Sequence, residues 1–274
     1  MGLLPCVFAW EKVADRPDEG PLLAICDSPA YKGEGDSAEN FSAPPPKELP
    51  MSAIDIFFNT DILLRSFPIL LRGLWITILL GLVSIVCGTL GGLAVCLLRL
   101  YAPKPIRLFA VFYTDIMRAL PVLVVLILIY YALPFVGIVF SSFTAASIAL
   151  SMVMAAYSAE VVRAGIQSVP LGQFEAASAL GLHFWTTLRK VVLPQATRIA
   201  IPPQASNCVS VIKDTSLASV VAASDLLKQA TDTQAIFANP TPLIGAAIIY
   251  VAILWPLVRL TSWLETRYQK AYAR

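Results

Sequence analysis

The side chains best suited to handle a polar solute in this chain fall close together, between Arg198 and Ser216. Gln204, Ser206, Asn207 and Ser210 interrupt an otherwise apolar run, and Lys213-Asp214-Thr215-Ser216 closes it. Amides and hydroxyls offer hydrogen bonds of both senses, while an ammonium beside a carboxylate matches the two charges of a zwitterion. Such groups are costly in lipid and face a cavity or a bundle interior. Gln204, Asn207, Ser210, Lys213, Asp214, Thr215 and Ser216 therefore form the candidate solute route. The competing reading is ordinary bonding between helices for the amides and hydroxyls, and a structural cap with an ion pair for Lys213 to Ser216.

Two acid–base pairs have helical i,i+3 spacing, Asp115 with Arg118 and Glu160 with Arg163. Pairing neutralises charge near a membrane boundary, so the first expectation is structural; gating is the alternative. A third constellation, Glu175-Ala176-Ala177-Ser178-Ala179-Leu180-Gly181, occupies a polar stretch between apolar segments. Pro170 suits a helix start, where its missing N–H costs nothing. The alanines are strong helix formers with little bulk, so a partner's groove can close around them. Gly181 permits the left-handed residue that ends one helix before the next begins. Glu175 offers its charge to a basic or amide-rich groove; the plainer reading is a solvated helix residue.

No catalytic set emerges. His183 is the only histidine and no C-x-x-C occurs, so neither a metal cluster nor a histidine triad can be assembled. The chain carries no G-x-x-x-x-G-K-[ST], H-E-x-x-H or G-x-S-x-G. It has no phosphate loop of its own, and any ATP-driven step requires a separate polypeptide.

The elements holding these residues are membrane helices. Of 274 residues, 57% are hydrophobic and 14% charged, too little charge to cover a soluble domain of this size. No charge occurs between Arg72 and Arg99 or between Arg118 and Glu160, and runs of roughly 20 apolar residues cross a bilayer core. Net charge is +2, too near zero to imply nucleic acid. About five spans are expected, at Pro68–Leu98, Phe109–Leu133, Ser141–Gly165, Val191–Ile212 and Leu243–Trp263. Pro202-Pro203 should break the hydrogen-bond ladder of the fourth, and a long polar connection should join it to the fifth. Gly88 and Gly92 make a G-x-x-x-G that lets another helix approach closely.

Basic residues mark one side. Arg99, Lys104 and Arg107, then Arg189 and Lys190, then Arg267, Lys270 and Arg274 fall on the same face of an odd-span bundle. That face is expected to be cytoplasmic, with the N-terminus outside; Arg65 and Arg72 weaken the bias without reversing it. Residues 1–64 form the other division. Pro44-Pro45-Pro46 and scattered charge resemble a disordered tail. Either Met51 is the true start, with residues 1–50 a mis-called extension, or the tail is genuine and soluble.

The spacing from Glu175 through Gly181 to Val191 and Leu193-Pro194 resembles the EAA loop of ABC importer permeases, with Val191 where isoleucine is usual. Arg118-Ala119-Leu120-Pro121, Ala156-Tyr157-Ser158-Ala159-Glu160, Arg163-Ala164-Gly165, Leu193-Pro194-Gln195-Ala196 and Lys213-Asp214-Thr215-Ser216-Leu217 extend the likeness over roughly residues 65–270. The chain thus resembles the polar amino acid subfamily, similar to the histidine, glutamine and glutamate systems. The resemblance implies an all-α integral membrane protein in the type I ABC importer arrangement, with cytoplasmic coupling helices at about residues 167–190. It implies a bacterial inner-membrane location and a second permease subunit, identical or related. It also implies an ATP-binding subunit that uses ATP and Mg, and an extracytoplasmic amino-acid-binding protein. Glu175, Ala176, Ala177 and Gly181 inherit the role of ATPase coupling. A self-sufficient secondary transporter or channel would need neither ATP nor a partner, and five spans without a visible inverted repeat disfavour many such folds. An intramembrane enzyme is disfavoured by the missing motifs.

Overall fold

The computed structural model describes residues 57–272, with side chains through Tyr268. The expectations for residues 1–50 and for Met51 lie outside the described residues. Every regular element among those described is helical.

Helix α1, Thr60–Tyr101, starts where the Asn59 side chain accepts from the backbone N–H groups of Asp61 and Ile62, both at 3.1 Å. It begins ahead of the expected span start at Pro68, which lies inside it. At 1.5 Å per residue it is about 63 Å long, twice a bilayer core. Its buried stripe is made of small residues, among them Gly73, Gly81, Ser84, Gly88, Gly92 and Cys96. Against this stripe packs α4, Ser142–Gln167, whose buried face includes Ala145, Ala149, Ala155, Ala156 and Ala159. A Cβ on Gly88 would stand 2.6 Å from the Met154 side chain, and one on Gly92 only 2.5 Å from Ser158 Cβ. The G-x-x-x-G therefore works within the subunit. Lipid gives such helices no hydrophobic drive to associate, so close backbone approach supplies the contact energy.

The expected second span is broken. Helix α2, Lys104–Ala119, meets α3, Val122–Ile127, at an angle of 108°. Leu120 is extended, with ψ of 136°, because the ring of Pro121 disfavours helical geometry in the residue before it. α2 is amphipathic, burying Ala110 and Thr114 while Leu108, Phe109 and Phe112 face outward. α3 continues through a π turn, Leu128–Ala132, and a 3-10 turn, Leu133–Val136. Pro134 and Gly137 then reverse the chain into α4, as expected.

After α4 come α5, Leu171–Ala179, and α6, Phe184–Thr187. A π turn, Leu188–Val192, joins α6 to α7, Leu193–Asp214. Pro202-Pro203 lies inside α7, which continues through it. The fixed φ of proline is compatible with a helix, but neither residue has an N–H, so the hydrogen-bond ladder is interrupted there as expected. The connection to the last span is also more ordered than expected. It contains a 3-10 turn, Thr215–Val221, and α8, Leu226–Phe237. α8 is capped by Asp225 and docks on α1, where Leu226 N–H donates to Thr77 Oγ1 at 2.9 Å. Helix α9, Thr241–Tyr272, closes the chain.

By length and apolarity, α1, α4 and α9 can each cross a membrane, and the bent pair of α2 with the segment 122–136 is apolar enough to count as a fourth where it acts as one broken span. α7 is about 33 Å long, enough to cross a bilayer core, but polar residues interrupt its apolar run.

Candidate functional site

A cavity of about 220 Å³ opens beside α7. Asn207, Ser210, Val211 and Asp214 form one wall; Val122 of α3 and Val153, Met154 and Tyr157 of α4 form the other. Side chains three or four positions apart share a helix face, which explains how Asn207, Ser210 and Asp214 align. The buried Nδ2 of Asn207 has no hydrogen-bond partner among the described residues, and buried amide donors are normally satisfied. The wall therefore presents the Asp214 carboxylate, with an unsatisfied amide donor buried beside it.

The remaining members of the expected route are placed elsewhere. Gln204 pins three helices together: its Nε2 donates to Thr89 Oγ1 at 3.1 Å on α1 and to Ser158 Oγ at 2.8 Å on α4. Ser206 donates to Glu265 of α9 at 3.1 Å. Thr215 is fully buried and donates to Ile212 O at 2.6 Å, while Ser216 donates to Lys213 O at 2.8 Å. Hydroxyls that bond back to their own helix end have no donor left for a solute. Lys213 is exposed and does not line the cavity. Ser210 also bonds back, to Ser206 O at 3.2 Å, but with Asn207 and Asp214 it lines the cavity, whereas Gln204, Thr215 and Ser216 do not.

The two acid–base pairs resolve into a single cluster around Glu160. Arg163 binds Glu160 through both Nη2 and Nε, the latter at 3.1 Å. Arg99 donates to Glu160 Oε2 at 2.8 Å, and Arg118 stands 3.8 Å from the same oxygen. Asp115 is exposed and makes no ion pair among the described residues, so its expected pairing with Arg118 is not found. Spacing correctly joined Glu160 to Arg163, but it could not see Arg99, 61 residues away in sequence. The cluster ties the end of α1 and the end of α2 to α4.

The loop after α4 is built as a rigid elbow. Gly181 adopts φ of +71°; its N–H bonds Ser178 O at 2.9 Å, and Leu182 N–H bonds Ala177 O at 3.0 Å. This is a Schellman closure, which needs a left-handed residue. Glu175 and Ala176 are exposed, whereas Ala177 is buried and, contrary to expectation, takes no part in the outward face. Phe174 of the same helix packs on the cluster of Val169, Leu188, Val192 and Ala196, which joins α5 to the π turn leading into α7. Phe184 and Trp185, which spacing did not single out, pack on Tyr101 at centroid distances of 5.8 and 6.4 Å. Leu171 and Leu180 remain 76% and 78% exposed, so the elbow presents an apolar rim around Glu175.

Comparison with known proteins places this geometry. The family model described as the binding-protein-dependent transport system inner membrane component matches residues 84–270. The probable amino-acid ABC transporter permease protein YckA of Bacillus subtilis (strain 168) is 37% identical over 219 residues, covering 80% of this chain and 96% of the relative. The L-cystine transport system permease protein TcyB of the same organism is 35% identical over 229 residues, with coverage of 82% and 98%. An amino acid ABC transporter solved with histidines superposes with a TM-score of 0.70 at 35% identity, covering 74% of this chain and 96% of that one. The inward-facing MetNI methionine ABC transporter shares the fold, with a TM-score of 0.61 at 22% identity over 73% of this chain and 96% of that one. The family match takes in the cavity, the Glu160 cluster and the elbow alike, and the chain belongs to the family of binding-protein-dependent transport system inner membrane components.

Proposed function

We propose that this chain is the permease subunit of an ABC importer carrying a polar amino acid, or a related small zwitterion, inward across a bacterial inner membrane. The observation supporting that reading is the cavity beside α7. At about 220 Å³ it falls below the roughly 300–1,000 Å³ typical of drug-sized ligands, which suits a small solute. Asp214 can meet an ammonium group, and Asn207 and Ser210 line the same helix face beside it with polar side chains.

The basic residues at one end of the bundle support a cytoplasmic elbow and an external N-terminus. There the exposed rim of α5, with Glu175, Ala176, Leu171 and Leu180, suits the groove of a separate ATP-binding subunit, which supplies the ATP and Mg chemistry this chain has no motif for. Gly181 and Ala177 hold that rim in shape. Because α5 packs on the π turn that runs directly into α7, a push on the rim reaches the helix carrying Asn207, Ser210 and Asp214. A second permease subunit, an extracytoplasmic amino-acid-binding protein and the bilayer complete the assembly, and residues 65–270 form its transmembrane domain.

The test is uptake. The tagged chain is purified in mild detergent with whatever co-purifies, placed in liposomes, and given a labelled mixture of the standard amino acids with the binding protein. ATP-dependent accumulation, lost in Asp214→Asn and in a Glu175 and Gly181 double variant, is the expected result. Accumulation by the chain alone without ATP would overturn the reading.

A further inference from the structure

We infer that Arg118 is a movable gate residue that closes the elbow-side floor of the cavity and passes the solute's anionic group out of it. The inference rests on the cavity being the solute route.

The geometry begins at Tyr157, which both lines the cavity and lies under Arg118, whose guanidinium carbon sits 5.8 Å from the ring centroid. Three residues further along α4, toward the elbow, comes Glu160. Tyr157 and Arg118 therefore form a lid between the cavity and the Glu160 cluster. Val122, the first residue of α3, also lines the cavity. The 108° break at Leu120-Pro121 is thus what brings the end of α2, and with it Arg118, to the cavity floor.

Arg118 differs from its two neighbours. Arg163 and Arg99 hold Glu160 through direct hydrogen bonds and have side chains 23% and 18% exposed. Arg118 reaches Glu160 only at 3.8 Å, and its side chain is 40% exposed. Both carboxylate oxygens are already occupied by the better-placed donors. Arg118 therefore holds guanidinium donors that Glu160 does not fill. It is retained by a weak ion pair and one cation–π contact, each worth at most about 1 kcal/mol at exposed sites.

Three guanidiniums facing one carboxylate also leave the floor positively charged. An anionic group descending past Asn207 meets Arg118 first, and a planar guanidinium can take a carboxylate in bidentate fashion. Exchange of Arg118 from Tyr157 and Glu160 onto the solute would open the floor as the solute leaves. Arg99 and Arg163 stay in place and keep α1 joined to α4.

The experiment uses small thiol reagents as probes, so the solute need not be known. The five native cysteines are replaced by alanine, and Ser210→Cys is introduced on the cavity wall. The full chain, in complex with its co-purifying ATPase, is placed in liposomes; co-elution of the ATPase reports folding. Membrane-impermeant methanethiosulfonates, one with a sulfonate and one with a trimethylammonium group, are applied from the elbow side and labelling rates are measured.

Arg118→Gln should raise the rate of the trimethylammonium reagent about tenfold, the combined loss of the ion pair and the cation–π contact, and that of the sulfonate reagent less. It should also abolish the advantage of the sulfonate reagent. Arg118→Lys, which keeps the charge, should stay close to the parent. Unchanged rates in Arg118→Gln would overturn the gate while leaving the cavity as a route. An equal rise in Arg118→Lys and Arg118→Gln would reduce Arg118 to a packing group and overturn it as well. If Ser210→Cys is labelled from neither face, the cavity is not a route and the gate falls with it.

Discussion

Gly91 and Gly92 are adjacent on the same helix, yet the structure assigns them opposite responses to one added methyl group. A Cβ on Gly92 would lie 2.5 Å from Ser158 Cβ and 2.7 Å from Ala155 O, whereas one on Gly91 would lie 3.4 Å from Ala155 Cβ. Carbon atoms reach optimal contact at about 3.5–4.0 Å, so Gly92→Ala must push α1 from α4 by about 1 Å. Gly91→Ala needs almost no adjustment. Both gain the same helix propensity, up to about 1 kcal/mol. Only Gly92→Ala incurs overpacking, typically about 1–3 kcal/mol. The difference between the variants is that last figure, since propensity cancels. At roughly 2–4 °C per kcal/mol for a chain of this size, Gly92→Ala should unfold several degrees below Gly91→Ala. The assay is loss of the monodisperse peak after heating the purified complex. Equal midpoints, or a lower one for Gly91→Ala, would refute the claim that the G-x-x-x-G packs against α4.

Three further outcomes are expected. Gly181→Val should abolish ATP-driven uptake while membrane insertion is retained, because a β-branched residue in the left-handed region costs upward of about 1–2 kcal/mol and opens the Schellman closure; unaltered uptake would count against the elbow. Gln204→Leu removes two interhelical bonds, each worth about 0.6 kcal/mol on average in a membrane protein, and should lower the thermal midpoint by a few degrees with little change in the labelling of a cavity cysteine. Asp225, in the turn before α8 and outside the spanning helices, is fully buried, and burial pushes its carboxyl up to about 6 despite the backbone N–H groups it caps. A raised acid favours the protonated form in the folded state, so its contribution is present in full below the unfolded value near 3.9 and is lost as pH rises through about 6. The complex should therefore be more heat-stable at pH 5 than at pH 7, and Asp225→Asn, which keeps a capping oxygen, should remove that difference in melting scans.

The helices were largely legible because membrane spans announce themselves by charge-free length. α1, α4 and α9 fall where uncharged runs predicted them, and Gly181 falls where a left-handed residue was needed. The errors arose where two signals shared one segment. Apolarity continued through Leu120-Pro121, so composition joined two helices that the proline's steric demand had separated. At Pro202-Pro203 the same residue type interrupts only the hydrogen-bond ladder, and the helix continues because proline's fixed φ fits it. α8 was hidden by its polarity. Only its docking on Thr77 and Gly73 of α1 shows why a half-polar segment is ordered there.

Within the site, sequence spacing found the right stretch of α7 but not which of its residues do what. Asn207, Ser210 and Asp214 share a face, as do Gln204 and Thr215 with other neighbours, and nothing in a single helix's pattern tells a cavity wall from a packed wall. That distinction is made by the elements across from it. Ser158 and Thr89 hold Gln204 where Gly92 lets α1 come close to α4, and Val122, just past the Pro121 break, lines the cavity with Asn207. Both distinctions are made by residues outside α7. The Glu160 cluster follows the same rule: its i,i+3 half was readable on one helix, and its other half depends on where α1 and α2 end. A chain can therefore advertise its polar residues in sequence while their roles are set by the residues that decide how near the neighbouring helices come.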